Sequence, residues 1–194
     1  MTGRTVLGVA LAGLAMFIWG ALSHMVLGLG EAGIKNIPNE SAMVSAVRTN
    51  IDQSGFYFFP GMPDASGKSK EAKDAAEKEW TDKYRAGPNG ILIVQTTGRE
   101  PMDAAQLLTE LASNVGCALV AALLLMLAAG SLSSFGARVV FVALLGLFAH
   151  LSIEVSYWNW YGFPATYTWA ALADQVIGAG IMGVVLALFV RPSS

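Results

Sequence analysis

Four long apolar runs and one long polar interval set the plan of this chain. The runs cover roughly Thr5 to Leu29, Ala105 to Gly130, Ala137 to Tyr157 and Tyr167 to Val190, each close to or above the ~20 residues that an α-helix needs to cross a hydrocarbon core. They predict a membrane all-α fold: a four-helix transmembrane bundle with a small α/β extracytoplasmic domain inserted between helices 1 and 2. Residues 1–29 are then helix 1, residues 30–104 the insertion and residues 105–194 helices 2 to 4, at 105–130, 137–157 and 167–190. The short connections make helices 2, 3 and 4 sequential antiparallel neighbours.

The polar interval has its own periodicities. Met43, Val44, Val47 and Ile51 recur on one face after Pro38-Asn39, which predicts a short amphipathic helix. Gly55 to Pro60 and Ile91 to Gln95 are aromatic and β-branched runs bounded by Gly and Pro, as strands are. Two strands alone are marginal, so they are expected to pair and to pack under a helix or on the membrane surface. Between them, Lys70/Asp74, Lys73/Glu77 and Glu79/Lys83 stand four apart and Gly87-Pro88 ends the run, which predicts a solvated helix. Its Ala72, Ala76, Trp80, Tyr84 stripe is expected to dock on the strands. Gly61 to Gly67 reads as a loop, and Arg99-Glu100-Pro101 as a helix restart leading into the second span.

Composition supports the membrane reading, since 54% of the 194 residues are hydrophobic and only 13% charged. A formal charge of −2 offers no basic face for nucleic acid. Cys117 is the single cysteine, which excludes internal disulfides, multi-cysteine metal sites and CxxC redox motifs; inside an apolar run it is expected to be a small packing residue. Arg4, Arg138 and Arg191 flank the spans on one side, while the turn from Trp158 to Thr166 carries no Lys or Arg. By the positive-inside rule both termini are cytoplasmic and residues 30–104 are outside, their nine Lys/Arg notwithstanding, because long loops translocate largely regardless of charge. Ala and Gly richness suggests a bacterial inner membrane, which makes that segment periplasmic. The first run continues past the passable cleavage site at Ala21-Leu22-Ser23, so it is expected to stay as a signal anchor.

Small residues recur at helical spacing in Ser113, Cys117, Ala121 and in Ala179, Gly183, Ala187, which allows helices to approach closely in lipid. Trp158, Trp160, Tyr161, Tyr167 and Trp169 form an aromatic turn where an interfacial belt belongs.

The candidate chemistry is a polar intramembrane cluster. His24, His150, Glu154 and Asp174 lie in predicted spans, with Glu110 and Asn114 in the outer part of the second. Such groups are costly in lipid and usually face a bundle interior with partners. Gly146, His150, Glu154 and Trp158 recur every fourth residue, as do Ala170, Asp174 and Gly178. Counting 1.5 Å per residue from the arginines puts His150 about 18 Å up, Glu154 about 24 Å, Asp174 about 26 Å and His24 about 30 Å. A shared outer pocket with His150 as its deepest member is the expectation.

Two imidazoles and several carboxylates suit a divalent metal such as zinc, iron or manganese, although no HExxH or Glu-x-x-His is present. A depth difference of about 12 Å argues against His24 and His150 as axial ligands of a b-type haem. A proton relay or polar transport path through Glu154, His150 and Asp174 is the other chemical reading. The plain alternative is that these groups hold helices in register or reach water by snorkelling. Hydrolase and nucleotide chemistry find no nucleophile elbow and no P-loop.

Four spans with cytoplasmic ends and one large first outer loop resemble the tetraspan plan of the claudins in topology. Nothing further carries over, because the claudin loop holds a disulfide and this one has no cysteine. Four-helix thiol oxidoreductases are not matched for the same reason. The function expected first is a non-catalytic accessory or structural subunit of a larger, energy-transducing membrane complex. Its expected partners are the lipid bilayer and other membrane subunits or further copies of itself. The alternative is a membrane metal-binding or proton-relay protein built on the cluster.

Overall fold

A computed structural model describes residues 1–190; Arg191, part of the orientation argument, lies outside the described residues. In chain order the elements are α1 (Gly3–Met25), a 3-10 turn (Leu29–Glu31), α2 (Glu40–Asn50), β1 (Gly55–Phe59), α3 (Lys70–Ala86), β2 (Gly90–Val94), α4 (Ala104–Leu127) and α5 (Phe135–Ala149). A π-helical turn (His150–Glu154), α6 (Val155–Tyr161) and α7 (Ala165–Phe189) follow. Four helices are long and apolar enough to cross a membrane: α1, α4, the continuous Phe135–Tyr161 and α7. The chain divides into two compact units, one of Met1–Ile34 with Pro101 onward, the other Lys35–Glu100.

The helical unit is packed by small residues. On α1, Gly8, Val9, Ala12 and Gly13 are buried, while Leu7, Leu11, Leu14, Ile18 and Leu22 face outward. The large aliphatics are outside and the small residues inside, the arrangement that suits helices solvated by lipid and held by close backbone contact. A Cβ on Gly13 would lie 2.7 Å from Val115 Cα, so α1 and α4 touch backbone to backbone there. A Cβ on Gly146 would meet Gln175 O at 2.4 Å and Ala179 Cβ at 2.8 Å, which sets the approach of α5 to α7.

Of the two pairings expected from connectivity, helices 3 and 4 are close neighbours and helices 2 and 3 are not. Helix α4 packs chiefly on α1, α1 on α7, and α7 on α5, whereas α4 and α5 meet only sparsely despite their short loop. Small residues decide this, because the loop restricts distance but the glycine and alanine rows decide which backbones can close up. The row Ala179, Gly183, Ala187 is buried, with Gly183 against Val139. In the other row Ala121 is buried but Cys117 is exposed, so the expected packing thiol is instead a surface one. One apolar core joins Val9, Ala12, Ala118, Leu125, Val142 and Leu186 at the end nearest Thr2.

At that end two arginines close α7. The Arg4 guanidinium donates to Leu188 O and lies 6.0 Å from the Phe189 ring centre, and Arg138 Nη1 donates to Val190 O at 2.6 Å. The last carbonyls of a helix have no partner of their own, and cations favour that end of the dipole. Arg138→Ala should therefore lower the stability of the detergent-solubilised bundle by about 1–2 kcal/mol. An unchanged thermal melt would show that α7 needs no cap there.

Helix α4 begins three residues later than the Pro101 signal suggests. Asp103 Oδ1 accepts from Gln106 N at 2.8 Å and Gln106 Oε1 from Asp103 N at 3.1 Å, a reciprocal capping box.

The second unit is a hairpin with two helices. Strands β1 and β2 pair antiparallel from Gly55 opposite Val94 to Phe59 opposite Gly90, so Phe56 to Phe59 lie in a sheet. Ser54 and Thr96 close the open end through Thr96 N to Ser54 Oγ at 2.9 Å. The α3 stripe docks as expected: Trp80 Nε1 donates to Pro60 O at 3.1 Å, and Tyr84 stacks on Phe58 with ring centres 6.2 Å apart. Asn39 caps α2, its side chain accepting from Ala42 N at 3.1 Å.

On the outer face of α3 the ion pairs are Glu79–Lys83 at 2.7 Å and Lys78–Asp82 at 2.8 Å; Lys70/Asp74 and Lys73/Glu77 do not pair among the described residues. The hydrogen bond from Lys83 holds Glu79 below the usual carboxylate range, that from Lys78 does the same for Asp82, and Asp82 raises Lys78 in return. Depressed acids contribute stability that is present above the ordinary carboxylate range and lost as pH falls. The raised lysine's share is lost only as pH rises through its folded value. All are solvent-exposed, so the helix should lose only a small part of its circular-dichroism signal on acidification, and less still in molar salt. A steep acid transition that salt does not reduce would contradict this.

Candidate functional site

Helix α7 presents two separate faces to the rest of its unit. Tyr167, Ala170, Ala171 and Asp174 follow the i, i+3, i+4, i+7 spacing of one face, and Ala165, Thr168, Trp169 and Leu172 that of another. Each face closes a different cavity, and the ionisable groups are divided between them.

The first face closes a cavity of about 220 Å³, whose wall also contains His24, Leu29, Gly30, Glu154 and Gln175. Glu154 is only 8% exposed. Its Oε1 accepts from Gln175 Nε2 at 3.2 Å, and the Tyr167 phenol faces the same carboxyl group. Among the described residues three buried oxygens have no hydrogen-bond partner: Glu154 Oε2, Asp174 Oδ1 and Gln175 Oε1. All three belong to residues that line one cavity. The donors lining the cavity, the Gln175 amide and the Tyr167 phenol, are fewer than its acceptors, and such a surplus is unfavourable in a low-dielectric surrounding unless a proton or cation is supplied.

The elements that build the cavity are fixed by packing. The Trp19 indole of α1 donates to Asp174 O at 3.1 Å, which holds α1 against α7 at this level. The close approach at Gly146 holds α5 against the turn of α7 that carries Gln175. His24 is oriented by its own helix, Nδ1 lying 3.0 Å from Gly20 O and 2.9 Å from Ser23 Oγ. Both contacts engage Nδ1, so Nε2 is the ring nitrogen that its own helix leaves unengaged. A Cβ on Gly30 would collide with the His24 ring, so only glycine lets the chain turn back over it.

Sequence reasoning placed His150 at the bottom of this pocket. The structure places it elsewhere: it is 3% exposed and lines the cavity under the second face of α7. The π-helical turn runs from His150 to Glu154, with Val155 N bonded to His150 O, and both end residues are buried, each against a different face of α7. Trp158, on the same four-residue repeat, is half exposed. Glu110 and Asn114 join neither cavity; Asn114 Nδ2 donates to Glu110 Oε1 at 3.2 Å on α4. The six cluster candidates thus fall into three places, and His24, Glu154 and Asp174 are the ones brought together. Among the described residues no three His, Cys, Asp or Glu side chains stand in metal-holding geometry.

Gln175 and Trp19 were missed. Gln175 had a legible signal, being a polar amide beside Asp174 inside an apolar run. Trp19 had none, since a tryptophan in a span is ordinarily an anchor. Of the aromatic turn, Trp160 and Trp169 are exposed, Tyr161 packs on Tyr157 with the rings tilted by 58° and 5.9 Å between centres, and Tyr167 belongs to the polar cavity. The turn itself is closed by Gly162 at φ 72°.

Two glycine-rich stretches look like nucleotide motifs and lack their context. Gly28-Leu29-Gly30-Glu31-Ala32-Gly33 has the Gly-x-Gly-x-x-Gly spacing, yet it follows a long apolar helix instead of a strand and forms a 3-10 turn. Gly61 to Ser69 exceeds the P-loop spacing by one residue, and Asp64 Oδ1 occupies the Ser66 N–H at 2.9 Å.

No protein-family model matches this chain, and neither a curated protein nor a solved structure was found to be similar to it.

Proposed function

We propose that this chain is an integral membrane protein of the bacterial inner membrane that takes up a proton or a small cation at the Glu154 cavity. In this reading both termini are cytoplasmic, residues 30–104 are periplasmic and the cavity lies in the outer half of the bilayer. The observation that carries it is the buried Glu154 carboxyl with Oε2 unpartnered, set among the unpartnered oxygens of Asp174 and Gln175. An all-oxygen set suits a proton or a hard cation. Ionisable groups of this kind within a span mark ion paths and proton relays. The buried glutamate moves this reading ahead of the accessory-subunit reading, which ranks first on sequence alone.

The test is the melting temperature of the purified chain in detergent, across pH and across sodium, magnesium, calcium, manganese and zinc. A ligand that binds only the folded form raises it by mass action. The wild type should respond to pH or to one of these cations, and Glu154→Gln should not. Equal responses in both would overturn the proposal.

The accessory-subunit reading keeps one specific support. Because α4 leans on α1, an apolar crevice of about 470 Å³ remains between α4 and the α5–α7 pair, with Ser113, Gly116 and Cys117 along one wall and Ala149 and Ala179 along the other. Small residues on both walls would admit a transmembrane helix of a partner subunit. Purification in mild detergent should then recover that subunit in stoichiometric amount, and a stable partner-free homomer would remove this reading.

A further inference from the structure

The second face of α7 closes a cavity of about 190 Å³, lined by Leu147, Leu151, Val155 and Leu172, with Trp158 and Trp169 among its walls and two buried polar groups: His150, and Thr168, whose Oγ1 already donates to Pro164 O at 3.2 Å. We propose that it binds the headgroup of a membrane-soluble quinone, with a ring carbonyl hydrogen-bonded to the His150 imidazole. Four features carry this.

The volume matches a single ring, since a cavity of about 150 Å³ lined by apolar side chains holds benzene. The walls are aliphatic and aromatic, and two indoles offer the faces on which a planar ring packs. His150 is 3% exposed and its Nδ1 has no partner, so a ligand's hydrogen bond would relieve a buried orphan. Rotation about the last side-chain torsion exchanges which ring nitrogen faces the cavity, and imidazole can donate to a quinone carbonyl or accept from a quinol hydroxyl. Finally, Trp158 and Trp169 are each more than half exposed, so the cavity opens laterally beside the aromatic turn, where a lipid-soluble molecule would enter.

Other occupants fit less well. An acyl chain would fill the space and leave His150 unpaired. A water needs two to four polar partners, and these walls are mostly apolar. The proposal is for binding alone and does not depend on the Glu154 cavity.

The experiment is equilibrium binding of a decyl-substituted benzoquinone to the full chain in lipid nanodiscs, with decylbenzene as competitor. The wild type should bind one molecule per chain, and decylbenzene, which lacks the carbonyl, should displace it only at about tenfold higher concentration. His150→Leu should weaken binding about tenfold, the loss of one hydrogen bond. Leu172→Trp, which leaves His150 in place and fills the cavity, should abolish it. Absence of saturable binding, equal displacement by decylbenzene, or wild-type affinity in folded His150→Leu would each overturn the proposal. If His150→Leu does not fold, undiminished binding to Leu172→Trp does so.

Discussion

Glu154→Gln should melt at a higher temperature than the wild type, by about 1–3 kcal/mol of added stability, while losing its response to pH and cations. Glu154 is buried, and its Oε1 accepts a hydrogen bond from the neutral Gln175 amide. A buried acceptor left without a donor costs about 1–3 kcal/mol, and a neutral isostere that carries its own donor removes that cost. A glutamine also replaces the unpartnered Glu154 Oε2 by an amide N–H₂ in a cavity where the oxygens of Asp174 and Gln175 lack donors. If Glu154 merely held α6 and α7 in register, removing its charge would destabilise the bundle or leave it unchanged. The direction of the shift thus separates a site that sacrifices stability for ligand from a structural contact. The measurement is a pair of thermal melts in the same detergent, at two pH values.

Gly146→Ala should cost about 1–3 kcal/mol, and Gly146→Leu should separate α5 from α7. The new Cβ would lie 2.4 Å from Gln175 O, a backbone atom that cannot turn aside. Overpacking of a tight contact costs in this range for a single methyl and more for a branched chain. Gly180 supplies the control, because nothing lies within 4 Å of a Cβ built there and Gly180→Ala should be neutral or gain the ~1 kcal/mol of helix propensity. Equal stability of Gly146→Ala and Gly180→Ala would contradict the close approach. Since the Gly146 contact seats Gln175, its loss should also blunt the response assigned to the Glu154 cavity.

Much of the architecture was legible because its causes are local. Span lengths follow from composition, the hairpin from Gly55-to-Pro60 and Ile91-to-Gln95 chemistry, and the α3 docking stripe from Trp80 and Tyr84 spacing. The start of α4 was also legible in Asp103 and Gln106, but Pro101 is the louder signal. The order of the helices was not, because small residues occur on α1, α4, α5 and α7 alike and permit several pairings. The π-helical turn left no mark either, since a shift of hydrogen bonding by one residue at His150 to Glu154 needs no special side chain. That turn, with the two faces of α7, is why His150 and Glu154 are neighbours in sequence and lie in different cavities. The two α7 rows could have been read from spacing, but their partners depend on which helices flank α7.

The most direct test of the central claim is infrared difference spectroscopy of the reconstituted chain as pH or cation concentration is stepped. A carboxyl C=O band should change, shift in D₂O and be absent from the Glu154→Gln spectrum. A spectrum without a carboxyl change, or one that Glu154→Gln leaves intact, would contradict it.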